Sequence, residues 1–291
     1  MPVVDFHVHA YDFPVTAPES FIGFMDRQLG RPFKEFAREY STTESYLAVL
    51  DEAGVEYGVV LAELAPITSA LCSNETVARL CTGSPRLIPF ASLNPSLTGQ
   101  LDRELERLVT EHGFRGLKLY PTYQYFYPND ARLYPLYAKA QELGIPVMWH
   151  TGSSVFSGSR LKYGDPLYLD DVAVDFPALA IVLAHSGRPF WYDRAYALAR
   201  FHENVYMEIA GLPPQRLLIY FPDLERVADK VLFSSDWPSV LLIKKNIETI
   251  RGLALSDRTK AQILGGNAAR ILKLAAPSRV TGSRSGSHGS G

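Results

Sequence analysis

The chain has 291 residues, and 29 Lys plus Arg against 31 Asp plus Glu leave a formal charge of -2. That length suits one large α/β barrel or two ordinary domains, and a hydrophobic content of 47% suffices for a substantial core. No basic or acidic block is present, which excludes an electrostatic nucleic-acid footprint or an anionic-membrane surface and leaves a small molecule as the expected partner. Homo-oligomerisation is left open.

Apolar, β-branched-rich runs at residues 3–8, 56–62, 86–92, 114–120, 145–149, 180–184, 205–209 and 230–235 predict eight strands. Such near-continuous runs are typical of parallel strands covered on both faces. Helical patterns fill the gaps at 42–53, 74–82, 98–111, 131–143, 169–176, 191–201 and 214–228, with a last group from 241 onward. Gly54, Gly113 and Gly144 follow predicted helices, and Ser41-Thr-Thr-Glu44 reads as a capping box. The expected fold is a single α/β barrel of the (β/α)8 or TIM type over residues 1–275, with insertions after strand one (11–40) and strand five (151–167). Long connections on that face cover the site or shape its pocket. Residues 276–291, APSRVTGSRSGSHGSG with His288 among them, read as a disordered tail of cloning origin and take no part in the functional reading.

The N-terminus enters a strand at once, with no charged-then-apolar leader, and no apolar run approaches a membrane span. Cys72 and Cys81 fall on what reads as one helix, about 13 Å apart along its axis and beyond disulfide reach. A reducing, cytoplasmic location is expected.

Four histidines and one aspartate stand where strands end: His7 and His9 in VVDFHVHA, His150 in VMWHTG, His185 in VLAHSG and Asp236 in FSSDWP. Parallel barrel strands end on one shared face, so these side chains can converge although they are far apart in the chain. Strand alternation turns His7 and His9 inward together with Asp5. Imidazole nitrogens with a carboxylate oxygen suit a divalent metal, most simply zinc, with manganese or iron as alternatives. His7, His9, His150 and Asp236 satisfy a catalytic metal site that keeps one position open for water. Asp236 is placed to take a proton from that water, and His185 to polarise the substrate or shuttle a proton.

The motifs DFHVHA, GLKLYP, WHTG, LAHSGRP, NVYMEIAGLPP, VLFSSDWP and GNAARIL, in this order over residues 1 to about 275, resemble the amidohydrolase-related family of metal-dependent barrel enzymes. The resemblance implies metal binding by His7, His9, His150 and Asp236. It implies for His185 either catalysis at a one-metal site or ligation of a second metal. Lys118 stands near the place of a carboxylated lysine that bridges two metals in binuclear relatives; an ordinary lysine binding a substrate carboxylate or pairing with an interior acid is the alternative. The family includes hydrolases of amides, esters and lactones, hydratases, and non-oxidative decarboxylases. The expectation drawn is a one-metal hydrolase attacking a carbonyl carbon, with decarboxylation of an aromatic or enoic acid as the alternative.

Around the expected mouth, Tyr120, Trp149, Trp191 and Arg188 are the candidate substrate contacts, the rings to stack a planar substrate and Arg188 to clamp a carboxylate. Glu63 and Glu208 are candidate supporting acids.

Overall fold

The computed structural model describes residues 1–274, so the predicted tail lies outside the described residues. Eight parallel strands form one sheet in chain order: β1 Val4–His9, β2 Tyr57–Leu61, β3 Leu87–Ser92, β4 Gly116–Leu119, β5 Val147–His150, β6 Ile181–Ala184, β7 Val205–Glu208 and β8 Val231–Leu232. The sheet closes on itself beyond β8. Phe6 N–H donates to Phe233 O (3.1 Å), Asp236 N–H to His7 O (3.1 Å) and His9 N–H to Trp237 O (2.8 Å). The last strand is shorter than expected: Phe233 N–H donates to Ile263 O (2.9 Å) and Ser235 N–H to the Asp5 carboxylate (2.9 Å) instead of joining the ladder. The barrel expectation holds.

Alternation sorts the strand residues into two cores. Leu117, Leu119, Val147, Trp149, Ile181 and Leu183 face the helix layer, whereas Val4, Phe6, Val59, Ile88, Phe90, Met148 and Leu232 form a second buried cluster with Ala268 and Ile271 of the last helix. Phe6 meets Phe90 edge-on at 5.5 Å. Gly116 makes room for that pair, since a Cβ there would lie 2.3 Å from the Phe90 ring.

In β1 the alternation breaks. The strand advances from Asp5 to Val8 while β2 advances only from Gly58 to Val60, so β1 carries one extra residue, a bulge. Phe6 therefore joins the inner cluster while His7 and His9 still reach the site. The expectation that Asp5, His7 and His9 alternate regularly is corrected on that account.

The first insertion contains two helices that the sequence pattern did not announce, α1 Glu19–Leu29 and α2 Phe33–Glu39. Pro18 and Pro32 look like breakers but sit at the N-caps, where the missing N–H costs nothing. The second insertion holds two short 3-10 turns, Leu161–Gly164 and Pro166–Tyr168. The predicted helix over 214–228 is broken into Pro214–Arg216, Leu217–Tyr220 and Leu224–Lys230, with Pro222 in the gap. The capping box forms one residue later than read, between Thr42 and Ser45. Cys72 lies not on a helix but in a two-residue strand, Leu71–Cys72, paired antiparallel with Glu63–Leu64; both cysteines are free and buried. No described helix is long and apolar enough to cross a membrane.

Candidate active site

At the C-terminal mouth, β1 delivers His7 and His9, and the left-handed turn after β8 delivers Asp236 (φ 68°). The Asp236 N–H bond to His7 O (3.1 Å) and the Ser235 hydroxyl accepting Trp237 N–H (2.9 Å) fix that turn. Three atoms of ligating type form a small triangle. His7 Nε2 and His9 Nε2 are 3.1 Å apart, and Asp236 Oδ1 lies 3.5 Å from the first and 3.3 Å from the second. Ligands about 2.0–2.1 Å from a four-coordinate ion stand about 3.3 Å from one another, so the triangle fits a divalent cation. Burial alone would raise the Asp236 carboxyl, but hydrogen bonding to His9 and the charges of His7, His9 and Arg188 hold it below its usual range. For His9 burial likewise opposes charge, yet Asp236 and Glu63 carry its pKa to about 9.

On the opposite wall, His185, Ser186 and Gly187 follow β6 in three consecutive left-handed conformations (φ 62°, 47° and 74°). Non-glycine residues occupy this region at a cost, here offset by fixed partners. Glu208 accepts His185 N–H (2.9 Å), Thr151 Oγ1 accepts Gly187 N–H (3.0 Å), and Ser186 Oγ donates to Glu208 O (2.9 Å). His185 Nδ1 faces Ala210 O at 3.0 Å; a carbonyl only accepts, so Nδ1 carries the proton and Nε2 keeps its lone pair. Burial pushes the imidazoles of His7, His150 and His185 well below the usual histidine range, and the positive charges around them add to it.

The structure brings His7, His9 and Asp236 together as one group that could hold a metal ion and His7, His185 and Glu208 as a second. His150 stands outside both. Its ring lies 4.7 Å from that of His185 and 4.8 Å from that of Tyr123, and its Nε2 faces Ser153 O at 3.1 Å. Lys118 is fully buried, with Nζ against Met148 Sδ (3.1 Å) and 5.2 Å from the Tyr120 ring centre. Burial lowers its pKa to about 8, against the pull of Glu208, Asp236 and Glu63.

A cavity of about 310 Å³ opens over the triangle. Of the four candidate substrate contacts, Tyr120 and Arg188 line it. Trp149 does not: being one residue before the inward His150, it points the other way and packs edge-on against Tyr137 at 5.4 Å. Trp191 does not either, standing at the start of the helix Tyr192–Phe201 beside Phe190. Arg188 Nη1 donates to Gly211 O (2.9 Å), and a Cβ on Gly211 would lie 2.1 Å from that nitrogen. The glycine thus seats the guanidinium. The cavity roof went unread in the sequence: Phe156 of the second insertion meets Phe21 (4.8 Å) and Phe24 (5.4 Å) of α1. Phenylalanines in both insertions were the available signal, but nothing in the sequence pairs them.

The chain is similar to known proteins in both sequence and fold. The family model for amidohydrolases matches residues 4–274, and the chain belongs to that family. Gamma-resorcylate decarboxylase of Polaromonas sp. strain JS666 is 27% identical, over 78% of this chain and 86% of that protein. An uncharacterised TIM-barrel protein from Bordetella bronchiseptica superposes with a TM-score of 0.73 at 25% identity, over 94% of this chain and 99% of that one. A dihydroxybenzoic acid decarboxylase from Polaromonas sp. JS666, solved with manganese and the inhibitor 2-nitroresorcinol, shares the fold with a TM-score of 0.64 at 23% identity, over 94% and 97%. The expectation of a hydrolase is corrected: the curated relatives that the chain resembles are decarboxylases.

Proposed function

We propose that this chain is a divalent-metal-dependent, non-oxidative decarboxylase of a hydroxylated aromatic carboxylic acid. The observation that carries the reading is a ligating triangle at the floor of a cavity with aromatic walls and an arginine whose polar contact is to a backbone carbonyl. Its likeness to a gamma-resorcylate decarboxylase supports the reaction type. His7, His9 and Asp236 hold the metal, with His150 beside them, and manganese rather than zinc is the ion to load first, as in the similar dihydroxybenzoic acid decarboxylase. A single ion is proposed, since the Lys118 amine faces Met148 rather than the triangle. When bound, the ion supplies a Lewis acid that draws electron density from the substrate's oxygens.

The chain's own groups do the rest. Arg188 pairs with a carboxylate oxygen, and Phe21, Tyr123 and Phe156 flank the ring plane. His185, neutral and with Nε2 free, takes the proton of the ring hydroxyl and returns it to the ring carbon. The bond to the carboxylate then breaks, its electron pair returns to the ring and restores the phenolate, and carbon dioxide leaves. The test uses metal-stripped protein reloaded with manganese and given 2,6-dihydroxybenzoate and 5-carboxyvanillate. Metal-dependent release of carbon dioxide, equal to the decarboxylated phenol formed, is expected. No release from these or other ring-hydroxylated benzoates would overturn the proposal.

A further inference from the structure

Each imidazole of the triangle has a second nitrogen that the metal reading does not use. His7 Nδ1 and His9 Nδ1 are both buried without a hydrogen-bond partner. Each faces a different carboxylate, however: Glu208 Oε2 lies 3.6 Å from His7 Nδ1, and Glu63 Oε2 lies 3.3 Å from His9 Nδ1. Both acids are themselves buried.

An imidazole that ligates a metal does so in its neutral form, with one N–H and one lone pair, and a carboxylate only accepts. With Nδ1 turned to a carboxylate, the proton belongs on Nδ1 and the lone pair on Nε2, at the triangle. The other tautomer would set a lone pair against the carboxylate and an N–H against the ion. We infer that Glu63 and Glu208 are positioning residues, one for each histidine of the pair, that fix His9 and His7 as Nδ1–H tautomers with Nε2 free to ligate.

The two acids are mounted differently. Glu208 ends β7 and is pinned by His185 N–H and Ala210 N–H, both at 2.9 Å. One rigid carboxylate therefore aims His7 and also holds the left-handed backbone of His185. Glu63 lies on the short strand Glu63–Leu64, takes a hydrogen bond from Ser69 Oγ, and borders the cavity. Replacing Glu63 acts on His9 alone, while replacing Glu208 acts on His7 and on the His185 turn.

This inference rests on the metal centre of the proposed function, and its test reads metal and protons rather than turnover. Manganese affinity is measured by electron paramagnetic resonance on stripped wild type, Glu63→Gln and Glu208→Gln, and zinc-loaded, 15N-histidine-labelled protein serves for NMR. Each variant is expected to bind manganese about 10- to 100-fold more weakly, the usual cost of losing such a partner. In the NMR spectra Glu63→Gln should move the downfield Nδ1–H signal of His9 and leave that of His7 in place, with the reverse for Glu208→Gln. If Glu208→Gln fails to fold, Glu63→Gln still decides. Affinity within twofold of wild type, or equal movement of both signals in Glu63→Gln, would overturn the assignment. A protein that binds manganese in this pattern but releases no carbon dioxide would sink the proposed reaction and leave these roles standing.

Discussion

Along a single face of several strands, the barrel interior changes character within two residues. On β5 Met148 is followed by His150, on β7 Tyr206 by Glu208, and past β2 Leu61 by Glu63; the first of each pair packs in or against the apolar cluster and the second stands at the mouth. The N-terminal half is filled by rings and branched chains that Gly116 allows to interlock, so its contribution is burial. The C-terminal half crowds histidines and carboxylates that desolvation alone would make unfavourable, and it contributes chemistry. The difference teaches that stability and function can be altered separately on the same strands, and it can be tested from either end.

The largest effect is expected at the mouth. His7→Ala should remove stoichiometric metal and lower turnover by about 10³-fold or more, since the ion supplies several kcal/mol of charge stabilisation. In stripped protein its melting temperature should stay within a few degrees of wild type, because Nδ1 of the lost imidazole stands 3.6 Å from Glu208, too far for a hydrogen bond of normal strength. Retained metal content would remove His7 from the ligands; a collapse of the stripped protein would erase the contrast between the two halves.

At the other end, Phe90→Ala deletes the ring that meets Phe6 and fills the space over Gly116. A loss of about 3–5 kcal/mol is expected, or about 6–20 °C in melting temperature for a domain of this class. Manganese affinity of the folded protein should remain within about twofold. A parallel loss of metal binding would show that the two halves are coupled rather than separable.

Lys118 marks the boundary, one inward position above Gly116 and one below Tyr120. Burial lowers its pKa from 10.5 to about 8, so between those values the unfolded chain holds a proton that the folded protein has released. Stability then rises with pH across that window, and below pH 8 the full cost of burying the charge is carried. Lys118→Met should abolish the rise, read as the difference in urea midpoint between wild type and variant from pH 8 to pH 10.5. A slope unchanged in the variant would mean that Lys118 is solvated when folded.

Much of this architecture is legible in the sequence because parallel strands covered on both sides are continuous apolar runs, and because a barrel forces their ends onto one face. That is enough to place His7, His9, His185 and Asp236 around one centre. It does not reveal the bulge in β1, since an extra residue leaves no mark on an apolar run, nor the helices α1 and α2, whose starts are written with proline. Trp149 stands at a strand end like a site residue, but its alternation with His150 turns it into the helix layer. Arg188 and Phe156 depend on distant partners, Gly211 and Phe21, that local pattern cannot supply. Reaction type is likewise unreadable from ligands alone, because hydrolysis and decarboxylation use the same donors.

The smallest effect should come from the cavity roof, which belongs to neither half of the barrel. Phe156 is only partly buried and touches Phe21 and Phe24 of the first insertion and Tyr123 after β4, so its ring adds little to folding. If it serves to flank the substrate ring, Phe156→Ala removes binding that ground state and transition state share, and KM rises while kcat holds. A loss of about 1.4 kcal/mol, near the low end for a buried aromatic contact, corresponds to a tenfold rise in KM. Steady-state kinetics on the manganese enzyme would show it, with the melting temperature unchanged within about 2 °C. A fall in kcat at constant KM would instead assign the roof to excluding water from the reacting carbon, and would tie this loop to the chemistry of the mouth rather than to recognition.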